Sequence, residues 1–331
     1  MKFFAIFVFF SIAMVAPALA NCDGNEKQIT LGLGSDGQKF ARRLAADQIK
    51  ALLDRELQGK ACLLVVADKE KFSDEKIFEA LKSGAITMGM PRLKSVAERV
   101  REYQVFGLPF ALIDFQAATR FQTSPAVVSM QKKLSVLNVR SLGIIHGGFD
   151  QLVSKKQVLK PQDALGVRFD VTSDGVFSDL VTAVKGLAKR RNNKTVAQSF
   201  VDDDFQTAPA SWVDLENPKL REALSVVMQS NHAYRGYELV IAQAWIDGLD
   251  ADLRKNIEQV MQRGVTQVGF EAVRRENASR NGLIRANKPV LALSRSQWDM
   301  WRSSVNRIWD RFAQAYGLEL MAALQDANRA P

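Results

Sequence analysis

The sequence predicts an α/β chain folded as two lobes with parallel strand pairing. Three observations carry that prediction. Short apolar, β-branched runs alternate with helical patterns, most cleanly where strands at Ile29–Leu33 and Leu63–Ala67 flank an amphipathic helix with Phe40, Leu44, Ile49, Leu52 and Leu53 on its apolar side. Strands joined through a helix pair in parallel, because the crossover packs a twisted strand back onto its own sheet. The chain has 331 residues of which 47% are hydrophobic, and the roughly 310 left after an export leader suit two lobes and a large buried core.

The first residues read as that leader. Lys2 gives a positive start, Phe3 to Val15 an apolar run, and Ala18-Leu19-Ala20 a small-residue cleavage site, so the mature chain is expected to begin near Asn21. The run is shorter than the ~20 residues a spanning helix needs, and no later stretch is apolar enough to cross a bilayer. Asn21 lacks the small side chain a lipoprotein signal places before its cysteine, which favours a soluble exported protein. Cys22 precedes the first strand and Cys62 opens the second, and in an oxidising compartment the two invite a disulfide.

Further along, Ser73 is placed to cap a helix through Ile77, Phe78 and Leu81 that stops at Gly84, after which Ala85–Met90 is extended again. A short helix and loop carry Val105 to Phe110. The second lobe is expected to start after a strand at Leu142–Ile145, with Leu152–Ser154, Val167–Val171 and Val196–Phe200 as its strands and a helix over Phe177–Leu187. Leu220–Asn231, Leu249–Ser279 and Ser296–Ala313 read as helices, with Trp298, Trp301 and Trp309 in the core.

The net charge of +9 would suit nucleic acid, an anionic surface or acidic small molecules. Apart from the run Lys189-Arg190-Arg191-Asn192-Asn193-Lys194, which reads as a solvated loop or helix end, the basic residues are dispersed. No zinc finger, RNA-recognition signature or basic zipper accompanies them, which argues against nucleic acid as a partner. Catalytic patterns are missing too. There is no phosphate-binding glycine loop, Gly32-Leu33-Gly34 lacks the third glycine of a dinucleotide fingerprint, and no G-x-S-x-G elbow occurs. His146 and His232, the only histidines, lack metal-ligand spacing and read as buried or capping residues. Asp202-Asp203-Asp204 reads as a solvated loop. A binding protein is expected rather than an enzyme, with no cofactor.

Several stretches match one family in order. Tyr103 to Phe121, YQVFGLPFALIDFQAATRF, is similar to VFDLPFLFRDYEAAHRV, and Ser154 to Phe169, SKKQVLKPQDALGVRF, to SKRPIRTPEDLKGLKIRV. Lys76 to Met90 is similar to a leucine-rich helix followed by glycine and an extended segment, Gly248 to Arg254 to a stretch ending in LPPDLR, and Glu216-Asn217-Pro218 to QENP. Together they cover almost the whole mature chain, which resembles the extracytoplasmic solute-binding proteins of TRAP transporters, DctP type.

The resemblance implies a two-lobed, periplasmic-binding-protein-like fold of the type II class, each lobe a sheet flanked by helices, the two joined by hinge strands and a long helix. Lobe I is expected over 21–147 with 243–282, and lobe II over 148–242 with 283–331. It implies capture of a small organic acid in the periplasm by hinge closure and delivery to membrane permease subunits. The alternative is a scaffold of the same fold that serves as a sensor or envelope interaction protein.

Residue by residue, the resemblance gives Arg168 the ligand carboxylate, a role suited to a planar guanidinium that meets it with two parallel hydrogen bonds. Asn217, next to Glu216, and Asp74 are to bond polar groups, and Phe200 is to pack on the ligand. Two positions depart from the pattern. Met90-Pro91-Arg92 stands where sialic-acid-binding members carry Phe-Ala-Glu, and Gly148-Phe149-Asp150 where many members read G-x-R. The opposite charges of Arg92 and Asp150 leave three readings open: an ion pair shaping a pocket for a monocarboxylate, a zwitterion site where Asp150 meets a cationic nitrogen, or two solvent-facing residues.

Overall fold

The computed structural model describes residues 22, 24–34, 41–68, 70–171, 175–191 and 194–329; the leader, Asn21 and Phe40 lie outside the described residues. Strand β1 (Lys27–Leu33) leads through α1 (Ala41–Glu56) to β2 (Ala61–Ala67), which pairs with it in parallel from Lys27 opposite Ala61 to Leu33 opposite Ala67. α1 buries Ala45, Ile49, Leu52 and Leu53 at helical spacing. Each large aliphatic residue so buried contributes about 1.5–3 kcal/mol by leaving water. The register sets Gln28 opposite Cys62, and a Cys22–Cys62 disulfide joins the start of the chain to β2.

α2 (Ile77–Lys82) buries Ile77, Phe78 and Leu81 and ends before Gly84, whose φ of +76° suits a residue without a Cβ. Ser73 does not cap it. A turn intervenes in which the Ser73 carbonyl accepts from the Lys76 and Ile77 amides, so Lys76 holds the cap position without a side-chain bond. β3 (Met88–Gly89) then pairs with β1 in parallel, and α3 (Leu93–Ala97), a 3-10 turn at Arg101–Gly107, α4 (Phe115–Gln122) and α5 (Pro125–Lys132) follow.

The next strand, β4 (Val139–Ser154), carries the chain out of this lobe. The second lobe contains β5 (Arg168–Asp170), α6 (Val176–Ala183), β6 (Leu187–Lys189), α7 (Val196–Val201), β7 (Thr207–Ser211) and α8 (Pro218–Ala223), and β8 (Val226–Ala242) returns to the first. α9 (Gln243–Asp247), α10 (Ala251–Arg285), β9 (Val290–Ala292), α11 (Arg295–Ser304), α12 (Asn306–Tyr316) and α13 (Leu318–Asn328) complete the described chain. Among the described residues no helix is long and apolar enough to cross a membrane.

One sheet runs through both lobes in the order β2-β1-β3-β8-β4-β7-β5-β6, with β9 also on β8. β4 and β8 are shared: β8 pairs with β3 at Val240 and Ile241 and with β9 at Val227 to Gln229, while β4 pairs with β7 from Asp150 to Ser154. Their antiparallel ladder shifts register between Ser141 and Gly143, His146 and Gly148, and Asp150 and Leu152. Such bulges bend a strand pair, and Gly148, at φ +103°, has no room for a Cβ, which would lie 2.2 Å from Glu276 Oε1. The 35-residue α10, roughly 50 Å long, braces both lobes. Arg140 on β4 meets its Glu258 at 2.6 Å, and its Arg280 donates to Gln229 on β8 at 2.8 Å.

The structure corrects five expected elements. Leu142–Ile145 and Leu152–Ser154 are parts of the single strand β4. Val196–Phe200 is helical, held by a capping box in which Thr195 Oγ1 accepts from the Gln198 amide and Gln198 Oε1 from the Thr195 amide. Leu220–Asn231 divides into α8 and the start of β8, because pairing to β4 and β9 overrides its helical spacing. Ser296–Ala313 is two helices, broken at Val305. The C-terminal helices, expected with lobe II, brace lobe I as well. Ala327 accepts from the Arg120 guanidinium, Asn328 bonds Ile113 and Ala111, and Trp309 donates to Pro109, while Trp301 donates to Leu159. All three tryptophans of α11 and α12 are buried.

Candidate functional site

Ligands of sheets flanked by helices gather at the carboxyl ends of the strands. In lobe II those are the ends of β5, β6 and β7, which run parallel, together with Asp150 of β4, paired opposite Ser211. In lobe I they are the ends of β1, β2 and β3. Charged side chains collect at both edges, and β8 connects them.

On the lobe II side Arg235 of β8 lies 2.7 Å from Asp150 Oδ1 and 3.4 Å from Asp214, whose carboxylate also accepts from the Ser211 amide and hydroxyl. The Asp150 side chain is 16% exposed and that of Arg235 42%. Burial raises the Asp150 pKa, with Arg235 pulling the other way and Asp214 and Glu276 adding to the rise. Burial also works against the Arg235 charge, but the Asp150 and Asp214 carboxylates more than offset it and hold the guanidinium protonated. Glu276 of α10 stands behind β4, accepting from the Phe149 amide at 3.0 Å.

On the lobe I side Asp74, in the loop after β2, lies 2.9 Å from Arg42 Nη2 and 3.3 Å from Arg92 Nε, and it accepts from the Arg92 amide. The Arg42 guanidinium sits 4.8 Å over the Tyr237 ring, and Arg92 bridges to Tyr237 through the backbone. Tyr237 is two residues from Arg235, so strand alternation sets both on one face of β8 and the two clusters meet at the hinge. Gly147 permits this approach: a Cβ there would lie 2.9 Å from the Tyr237 ring.

Asp74, Arg92 and Asp150, all expected from sequence, stand at this seam. Arg92 and Asp150 do not pair with each other, since Asp74 and Arg235 are their respective partners. The other expected residues lie elsewhere. Arg168 starts β5, at the end away from the cleft, and pairs with Asp203 at 2.6 Å beside Lys155. Counted from the glycine that Gly166 matches, the arginine of the resembling strand falls on Asp170. That carboxylate, at the cleft end of β5, is 1% exposed and pairs with Arg191 at 2.8 Å. Asn217 caps α8 by accepting from the Lys219 amide, and Glu216 is held by Ser279 and Arg275 of α10. Phe200 and Met90 are fully buried, Phe200 edge-on to Phe205.

Arg235, Asp214 and Arg42 escaped the sequence reading. The one signal was a lone arginine, between Tyr234 and Gly236, in a run that must first be known to be a strand. A recess of about 1020 Å³ between α4, α5 and α10, lined among others by Phe115, Arg140 and Phe270, lies on lobe I apart from these clusters. The one cluster of potential metal ligands among the described residues is Cys22, Glu26 and Cys62, and its sulfurs are in the disulfide.

Two lobes that share two long strands and a bracing helix, with ionic side chains at the strand ends on either side of the hinge, define a hinged solute-binding protein. Residues 37–315 match the DctP model, bacterial extracellular solute-binding protein family 7. The chain belongs to that family. It is 26% identical over 319 residues, 94% of each chain, to the C4-dicarboxylate-binding periplasmic protein DctP of Vibrio cholerae. Among solved structures, a TRAP periplasmic solute-binding protein from Shewanella oneidensis with bound succinate superposes with a TM-score of 0.75 at 22% identity, over 92% of this chain and 100% of that one. Another from Ochrobactrum anthropi, with its C-terminus bound in the ligand pocket, reaches 0.84 at 16% identity, over 92% and 95%. At those identities the likeness shows the fold.

Proposed function

We propose that this chain is the capture subunit of a TRAP-type transporter. It binds a small organic acid or zwitterion between its lobes, closes on it, and hands it to membrane permease subunits. The observation that carries this reading is Arg235: a guanidinium on a strand shared by both lobes, 42% exposed beside its carboxylate partners, and so able to take a ligand carboxylate. Relatives support the class, since similar structures hold succinate and L-malate. The Cys22–Cys62 disulfide fits an oxidising compartment, and we place the mature protein in the periplasm after cleavage of its leader. Its task is binding rather than catalysis.

The test is a thermal-shift screen of protein unfolded and refolded to strip any bound solute. A true ligand raises the midpoint by mass action, and Arg235→Ala lowers the rise at a fixed ligand concentration. If no organic acid, amino acid or other zwitterion stabilises the refolded protein, the reading fails.

A further inference from the structure

The helices α11, α12 and α13 enclose a recess of about 340 Å³, lined among others by Trp298, Arg302, Asn306, Trp309, Gln325 and Asn328. None of these residues belongs to the charged clusters at the hinge. Small-molecule sites begin at roughly 300 Å³, so the recess suits a small solute. Arg302 is the exceptional group in it. Its guanidinium carbon lies 3.2 Å from the centroid of the Trp309 ring, a distance reached only when the planar group lies flat on the indole, with its N–H groups pointing outward along the ring. Nη1 donates to Asn306 Oδ1 at 2.8 Å. The other edge, Nε with Nη2, has no acceptor among the described residues, and no carboxylate there lies within ion-pair distance of the group. The other arginines at the recess are paired: Arg295 has Asp299 at 3.2 Å and Arg329 has Asp326 at 3.0 Å. Burial works against the Arg302 charge and pushes its pKa down to about 10, with Asp310 pulling back only in part. A guanidinium keeps its proton at any working pH, so what its burial lacks is an opposite charge at the free edge.

A second unmet donor belongs to the same recess. Trp301 and Trp309 give their indole N–H groups to the Leu159 and Pro109 carbonyls, whereas Trp298, 6% exposed, has no acceptor for Nε1 among the described residues. Buried indole N–H groups ordinarily find one. Both unmet groups donate and neither accepts, so their complement is an acceptor, and beside Arg302 a negatively charged one. We propose that this recess binds a small oxyanion, a carboxylate or phosphate, at a site separate from the hinge. Two of its oxygens take the parallel Nε and Nη2 bonds of Arg302, the arrangement in which a guanidinium grips an oxyanion most strongly. Trp298, in the same wall, reports its arrival.

The experiment is NMR of the refolded, disulfide-bonded chain with isotope-labelled tryptophan, titrated with acetate and with inorganic phosphate at constant ionic strength, chloride serving as the control. The Trp298 indole signal, assigned by its loss in Trp298→Phe, should move saturably with at least one of the two anions and not with chloride. Saturation by acetate alone assigns the site to carboxylates, and saturation by phosphate alone assigns it to phosphates. Arg302→Gln, which removes a half-buried charge and keeps a polar side chain, should weaken that anion by about tenfold or more, the worth of a hydrogen bond to a charged group. Arg302→Lys decides the matter if the first variant does not fold: it keeps the charge, loses the fork, and should still weaken binding severalfold. No saturable movement with either anion overturns the proposal. So does a movement whose midpoint is unchanged in the folded Arg302 variants, as it would be if the anion acted through the hinge cleft.

Discussion

Arg235 stands 2.7 Å from Asp150 on the neighbouring hinge strand, so the strands that carry the lobes' motion also carry the charge pair at their seam. Arg235→Ala should weaken binding of the best acid or zwitterion from the screen by roughly ten- to a hundredfold, the value of a charge-assisted contact. It should also destabilise the protein by about 1–2 kcal/mol. A fully buried pair would lose more, but water screens this arginine. Arg168→Ala, which removes a pair with the exposed Asp203, should cost under about 1 kcal/mol and leave affinity unchanged. Titration calorimetry of both variants checks the contrast; loss of binding in Arg168→Ala alone would return the carboxylate site to β5.

Why the sequence revealed one arginine and hid the other follows from strand geometry. The first βαβ unit was legible because both strands read as apolar runs: Ile29–Leu33 is buried on both faces, and Leu63–Ala67 keeps the same composition although β2 is an edge strand with Leu64 exposed. β4 was not, because Gly143, Gly147 and Gly148 interrupt it and make one strand look like two. β8 hid for the opposite reason: Asn231, His232, Arg235 and Glu238 break its hydrophobic pattern; Asn231, Arg235 and Glu238 answer to partners on other elements, and His232 bonds Ser230 within the strand. Asp150 stood out as a charge reversal, but the cation that answers it came from a segment whose first residues read as helix. A motif match gives the identity of β5, whereas which end of it Arg168 and Asp170 occupy is set by pairing to β6 and β7.

Phe200 offers a second contrast between core and site. It is fully buried on α7, among Phe205, Trp212, Leu220 and Val227. Phe200→Ala should cost about 3–5 kcal/mol through lost burial and the cavity left behind, with ligand affinity in the surviving folded fraction unchanged. Denaturant unfolding paired with binding measured below the transition separates the two roles. A large fall in affinity without a fall in stability would restore ligand stacking.

The Cys22–Cys62 bond ties the start of the described chain to β2 across a sequence separation of 40 residues. Closing a loop of that length removes unfolded-state entropy worth about 4 kcal/mol in the chain-entropy model. Reduction, or Cys62→Ser, should lower the melting midpoint by several degrees while leaving the hinge charges in place. Melting curves with and without reductant test it; coincident curves would show that β1–β2 pairing alone holds this corner.

Two buried groups give the stability a defined pH profile. Glu238 on β8 is fully buried, and burial pushes its pKa up to about 8 from 4.5, opposed by hydrogen bonding to Ser141, Tyr103 and Gln131. Its contribution is therefore fully present below the unfolded value near 4.5 and is lost as pH rises through about 8. His232, also buried, is pushed down to about 3 from 6.5 by desolvation and then by Arg235. Unfolded histidine takes up a proton below 6.5 and the folded one does not, so stability falls with pH below that point. Between about 4.5 and 6.5 the two slopes oppose one another, and above 6.5 Glu238 acts alone. The midpoint should change little across the first interval and decline from pH 6.5 to 8, by up to about 1.4 kcal/mol per unit. Glu238→Gln keeps an oxygen to accept from Ser141 and Gln131 and gains a donor toward Tyr103, so it should flatten that decline and stabilise the protein at pH 8. A variant that loses stability as steeply as the parent between pH 6.5 and 8 would place the titrating group elsewhere.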